Sequence, residues 1–184
     1  LPILRLFVAS HEEPLPQTTA GATTSFDIVA RDQHHNARGV GGDWFTATLY
    51  GPETVHAEVL DRGDGTYTVR CCPRRSGDYL LAVTKDEQHI AGSRFALAVA
   101  PGATLSSACA AFGAGLQVGE AGEAQTFMLE ARDADSNPRG VGGDHFSVAI
   151  VGPMAPRNRE GAPGGRRLVA AHPQMATVTD KRDG

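Results

Sequence analysis

Arg38-Gly39-Val40-Gly41-Gly42-Asp43 returns as Arg139-Gly140-Val141-Gly142-Gly143-Asp144, 101 residues further along the chain. The match widens around it in the same register. Ala20-Gly21 recurs as Ala121-Gly122, Phe26 as Phe127, Ala30-Arg31-Asp32 as Ala131-Arg132-Asp133, Asn36 as Asn137, Phe45 as Phe146, and Gly51-Pro52 as Gly152-Pro153. From Ala20 to Pro52, 16 of 33 positions are identical without a gap, where ordinary residue frequencies give about 2. The chain is therefore built on a repeat of about 100 residues. The register then slips. Val59-Leu60-Asp61-Arg62-Gly63-Asp64-Gly65 is answered by Val178-Thr179-Asp180-Lys181-Arg182-Asp183-Gly184 at an offset of 119, which gives copy two 18 extra residues between Pro153 and Val178. The predicted division is 1–100 for copy one and 101–184 for copy two. Copy two is expected to be incomplete after its fourth strand, so that further residues or another chain would have to complete it.

Within each copy the hydrophobic period is that of strands. Phe26-Asp27-Ile28-Val29-Ala30 and Phe45-Thr46-Ala47-Thr48-Leu49 alternate. Tyr67, Val69 and Cys71 share one face, as do Tyr79, Leu81 and Val83, and then Phe95, Leu97 and Val99. Turn signals separate these runs: Gly51-Pro52, Asp64-Gly65, Ser76-Gly77-Asp78 and Ala91-Gly92. Short alternating segments with frequent turns predict an all-β sandwich. The strands of copy one are expected over 3–9, 23–31, 43–50, 55–60, 66–72, 78–85 and 93–100. No run of ten or more residues has a helical period.

Composition narrows the function. The 184 residues carry 17 Lys+Arg against 21 Asp+Glu, a net charge of −4, which argues against a nucleic-acid binder. No window holds 18 consecutive apolar residues, so no membrane span is expected, and Leu1–Leu6 does not resemble a signal peptide. Cys71, Cys72 and Cys109 are too few for a disulfide framework, and no Asn-X-Ser/Thr site occurs. Both absences point toward a reducing, intracellular setting.

These pieces together resemble the filamin-type immunoglobulin repeat: Ala20 to Phe45, Asp64 to Val69, Gly77 to Val83, and Ile90 to Phe95, with Ser107-Ala108-Cys109 and Gly113-Ala114-Gly115-Leu116 similar to that family's first-strand motif. Arg94, where the family usually has Pro, and the insertion are departures. The resemblance implies tandem immunoglobulin-like, seven-stranded antiparallel β-sandwiches, with strands A-B-E-D in one sheet and C-F-G in the other. Tyr79, following Gly77-Asp78, stands where sandwich folds often place a tyrosine corner.

Several residues invite a chemical role. Arg62-Gly63-Asp64 spells the tripeptide that integrins recognise, but copy two has Lys181-Arg182-Asp183 there, and a variable turn is the expected structure. Asp32, His34 and His35 are metal-ligand types, yet copy two has Asp135-Ser136 at the histidine positions. Gly39-Val40-Gly41-Gly42 lacks the following helix and the Lys-Ser/Thr of a phosphate cradle. No catalytic constellation recurs in both copies, so no enzyme and no cofactor is expected. Cys71 is expected in the core and Cys72 at the surface.

The expected function is that of a structural scaffold within a larger protein, cytoplasmic and cytoskeleton-associated, whose partners are other proteins and further domains of the same chain. The resemblance implies binding of an extended peptide beside strand C, a form of β-augmentation. Trp44, Thr46, Thr48 and Tyr50 are expected to face outward there, with His145, Ser147, Ala149 and Val151 at the same positions of copy two. Arg157, Arg159, Arg166 and Arg167 lie in an insertion whose Pro and Gly content reads as a flexible, solvated loop; it is expected either to be a tolerated insertion or to offer a basic contact for an acidic protein surface. The alternative is a cell-surface adhesion module.

Overall fold

In the computed structural model the described residues are 7–8, 15, 17–119, 123–150, 174–175 and 177–179. Among the described residues of copy one there are nine strands: β1 (Phe7–Val8), β2 (Thr18–Thr19), β3 (Thr24–Val29), β4 (Phe45–Tyr50), β5 (Val55–Asp61), β6 (Thr66–Cys71), β7 (Gly77–Lys85), β8 (Gln88–His89) and β9 (Phe95–Ala100). One antiparallel layer runs β1-β3-β6-β5, and the other runs β5-β4-β7-β9. Together these are the all-β layers expected from the period-2 pattern, in the immunoglobulin-like class that the resemblance implied.

β5 belongs to both layers. Val55–Ala57 pair with β4, setting Val55 opposite Leu49. Glu58–Asp61 then pair with β6, setting Glu58 opposite Arg70. The two sheets are therefore joined through one strand, where the resemblance implied separate A-B-E-D and C-F-G sheets.

The alternation read from the sequence fills the space between the layers. Ile28, Tyr67, Val69 and Cys71 come from one side, and Phe45, Ala47, Leu49, Tyr79, Leu81, Val83, Leu97 and Val99 from the other, all buried. Phe45 and Tyr67 meet edge to face with ring centroids 4.7 Å apart. Each large apolar side chain buried this way is worth roughly 1.5–3 kcal/mol. Tyr79 forms the tyrosine corner, its buried hydroxyl donating to Arg75 O at 2.8 Å.

The repeated Arg-Gly-Val-Gly-Gly-Asp run has a structural reason in copy one. Arg38 forks onto both Asp43 carboxylate oxygens at 3.0 and 2.8 Å and closes the loop into β4. Between them, Gly42 donates to Asp61 at 2.7 Å. A Cβ on Gly41 would lie 2.3 Å from the Asp61 carboxylate, so a larger residue there would push that carboxylate off Gly42 N.

Two short strands were not anticipated. β2 pairs in parallel with β9. β8 folds back on β7 through Asp86 and Glu87, both at positive φ (49° and 64°). That is the geometry of a two-residue hairpin turn, made here without Gly or Asn.

In copy two, β10 (Ala110–Phe112) pairs with β11 (Met128–Glu130), with a single 3-10 turn at Ala114–Leu116 between them. The chain divides into two compact units, Leu1–Gly140 and Val141–Asp183. The first unit extends past copy one, and Asn137 within it bonds Arg74 O and Ser76 N of copy one. In the second unit, β12 (Ala149–Ile150) pairs with β13 (Gln174–Met175), setting Ile150 opposite Gln174. That pairing is the counterpart of Leu49 opposite Val55. The connection after Ile150 runs 151–173, where that after Leu49 runs 50–54. The Arg157, Arg159, Arg166 and Arg167 contact expected in it lies outside the described residues.

Candidate interaction surfaces

β4 alternates as expected. Phe45, Ala47 and Leu49 are buried, and Thr46 and Tyr50 are exposed with Thr48 half-buried. Just before the strand, Trp44 is 81% exposed, and Tyr50 at the far end is 53% exposed. Between them, the Thr46 hydroxyl bonds the Thr84 hydroxyl at 2.6 Å and the Thr48 hydroxyl meets His56 Nδ1 at 3.2 Å. Tyr50 continues into a shallow groove with Leu15, Leu80, Ala96 and Ala98. Strand C, the expected site of peptide addition, is a backbone edge only in part. Ala47–Leu49 are paired on one side with β5 and on the other with β7. Only Phe45 and Thr46, beyond the point where β5 leaves for β6, and Tyr50 at the other end lack a β5 partner. In copy two His145, Ser147 and Ala149 are exposed, and Val151 lies outside the described residues.

The tripeptide Arg62-Gly63-Asp64 is a turn between β5 and β6 with its charges engaged. Arg62 donates to Thr68 at 2.7 Å and to Asp27 at 3.0 Å. Asp64 accepts from the Thr66 amide and hydroxyl. The Thr66 side chain, then the Thr66 amide, hold the Asp64 carboxyl below its ordinary range. Cys71 is buried and Cys72 half-buried, and burial pushes the Cys71 thiol up to about 11.

A pair of residues that the sequence showed as a bare repeat builds the second surface. In both copies an Asp accepts from the residues two and four positions on, and the Asn at the fourth closes a small loop. Asp32 takes the amides of His34 (2.8 Å) and Asn36 (2.9 Å) and the Asn36 side chain (3.0 Å). Asp133 takes the amides of Asp135 (2.9 Å) and Asn137 (2.9 Å) and the Asn137 side chain (2.9 Å). The third loop residue, His35 or Ser136, has positive φ in each (67° and 64°).

Their surroundings differ. The Asn137 carboxamide donates to Arg74 O at 2.7 Å and accepts from Ser76 N at 3.0 Å. Asp133 also accepts Gly102 N at 2.7 Å, and Arg139 donates to Gly102 O at 2.9 Å. Asp133 and Asn137 are each 2% exposed. The turn between β6 and β7 that they hold is itself braced. Glu53 accepts the amides of Arg74 and Arg75, bonds that keep its carboxyl below its ordinary range, Arg75's first. Tyr79 fixes Arg75 O. Burial pushes the Asp133 carboxyl up, but the hydrogen bonds from Asn137, Gly102 and Asp135 outweigh it, and the pKa lies below 3.8. Asp32 is also held below 3.8, by the Asn36 side chain first and its amide next. The carboxylate's hydrogen bonds run to His34 and Asn36, and among the described residues no metal-ligand set gathers around it.

A sandwich with a tyrosine corner, an aromatic-flanked strand and a polar loop docked on its end belongs to the immunoglobulin-like class of structural and interaction modules. Within that class, residues 8–96 are a Filamin/ABP280 repeat. The chain is 36% identical over 90 residues to E3 ubiquitin-protein ligase TRIM71 of Bos taurus, covering 48% of this chain and 10% of that protein. It is 34% identical over 99 residues to Filamin-C of Rattus norvegicus, covering 54% of this chain and 4% of that protein. The chain thus spans a tenth or less of these two relatives. Among solved structures, the Escherichia coli adhesin FdeC superposes with a TM-score of 0.51 at 20% identity, over 79% of this chain and 44% of that one, a likeness of fold. The repeat is a protein-interaction module, and no helix among the described residues is long and apolar enough to cross a membrane.

Proposed function

We propose that this chain is a scaffold segment that joins proteins by accepting an extended peptide along β4 of copy one. The observation that carries this reading is the exposure of Trp44 and Tyr50 at the two ends of the outward face of one strand, 81% and 53%. Large exposed aromatics flanking a backbone edge are the elements of a binding hot spot. The peptide adds where β5 has turned away, beside Phe45 and Thr46, and lays apolar side chains against Trp44. Copy two, residues 101–184, carries His145, Ser147, Ala149 and Val151 at the same positions and so selects a different partner. The basic residues Arg157, Arg159, Arg166 and Arg167 supply a separate contact for an acidic protein surface. The likeness to Filamin-C supports a cytoskeletal setting.

The test is peptide selection by display against the full chain, followed by chemical-shift mapping. Selected peptides should perturb Asp43–Thr48. Trp44→Ala, at an exposed position, should leave the fold intact and weaken binding by roughly tenfold or more, as hot-spot truncation does. Peptides that map elsewhere, or bind the variant equally well, overturn the reading.

A further inference from the structure

The same small loop occurs twice in one compact unit, once holding a partner and once without one. Asn137 presents a donor and an acceptor from a single carboxamide, and these meet Arg74 O and Ser76 N, a carbonyl and an amide two residues apart. The carboxamide is held for this task by Asp133, which takes the Asn137 side-chain amide on both oxygens. In copy one, Asp32 holds the Asn36 carboxamide with the same bond at 3.0 Å. The backbone frame is also the same: Asp32 N donates to Asn36 O at 2.9 Å as Asp133 N does to Asn137 O at 3.1 Å. The bridges Arg31–Ala37 and Arg132–Pro138 close both loops at their bases. Yet Asn36 is exposed. No described residue takes its side-chain oxygen Oδ1 or its remaining side-chain amide hydrogen.

We propose that the Asp32–Asn36 loop is a docking site for the turn between the sixth and seventh strands of another repeat of this kind. It holds that turn through the Asn36 carboxamide as Asn137 holds Arg74 and Ser76. Recognition is of a backbone carbonyl and an amide two residues apart, in a turn stiffened as Glu53 and Tyr79 stiffen this one. A braced turn presents those two atoms at fixed spacing, so little ordering entropy opposes docking. This inference concerns the end of the sandwich and is independent of peptide binding at β4.

The probe is copy one itself. Residues 1–102 are joined directly to residues 2–184, so that Gly102 of the leading repeat takes the place of Leu1 and the native spacing is kept. Nitrogen-15 relaxation reads whether the leading repeat tumbles with the rest, and side-chain amide exchange reads Asn36. The expected result is common tumbling and a slowing of Asn36 side-chain exchange by roughly tenfold, the size of one net hydrogen bond. Asn36→Ala should release the leading repeat. Ser76→Pro in the leading repeat, which deletes the donated amide and leaves Asn36 untouched, should release it too. Independent tumbling in the unmodified fusion, or common tumbling that survives both substitutions, overturns the proposal.

Discussion

The loop at Asp32–Asn36 and the loop at Asp133–Asn137 share their key residues, their internal hydrogen bonds and their backbone signs, yet one is wet and the other dry. In copy two the loop is sealed against the turn after β6, and Asp133 and Asn137 are 2% exposed. In copy one Asn36 faces solvent. The difference teaches that a sequence motif fixes a local shape, while its energetic weight depends on what is placed against it. A hydrogen bond exchanged with water is nearly neutral, whereas a buried group left unpaired carries the full cost of desolvation.

The comparison can be broken most directly by alanine at the two asparagines. Asn137→Ala strands Arg74 O, Ser76 N and part of Asp133 in a buried place and should cost roughly 2–3 kcal/mol. Asn36→Ala, at a solvated loop, should cost less than about 1 kcal/mol. Urea denaturation of the full chain checks both, and equal costs would dissolve the distinction.

Acid should act next. Asp133 has its pKa depressed below 3.8, so its contribution is fully present above 3.8 and is lost as the pH falls through the lower folded value. Amide exchange at Gly102, whose N–H Asp133 holds, should quicken over that window. An amide that stays equally protected would show that the carboxylate's charge is not what holds the linker.

Gly21→Ala sharpens the same boundary from the other side. Gly21 has φ 77° and donates to Pro73 O at 2.8 Å, and an added Cβ would lie 2.9 Å from Asp135 Oδ2. The strain of that conformation predicts a loss of roughly 1–2 kcal/mol. Gly102→Ala, with an ordinary 3.4 Å contact to Asp133, should be milder in the same urea denaturation.

Arg74→Ala should do least. Its guanidinium is 3.6 Å from Asp135 but 74% exposed, and such pairs are worth roughly 0–1 kcal/mol. If Arg74→Ala rivals Asn137→Ala in urea, the junction is held by charge and the backbone account fails.

Much of this architecture was legible from period and punctuation. Phe45-Thr46-Ala47-Thr48-Leu49 could only alternate, and Gly77-Asp78-Tyr79 placed the tyrosine corner. The short strands β2 and β8 were not legible. Two residues carry no period, and Asp86-Glu87 turns the chain without a glycine to announce it. The partial closure of β4 by β5 was hidden for another reason. A strand that changes sheets halfway has the same alternation as one that stays. The recurrence of Asp and Asn four apart was visible in both copies, but burial of one loop is a property of its neighbours, and nothing within the loop encodes it.

The exposure of Trp44 has a spectroscopic consequence. It is the only tryptophan in the chain, and at 81% exposed its indole is nearly as hydrated in the native state as in the unfolded one. Indole emission will therefore change little on melting, and the buried rings of Tyr67 and Tyr79 are the better reporters of unfolding. The same indole is well placed as a label for association. A chain laid along β4 would dry it and move its emission to the blue, so fluorescence separates docking from folding in one sample.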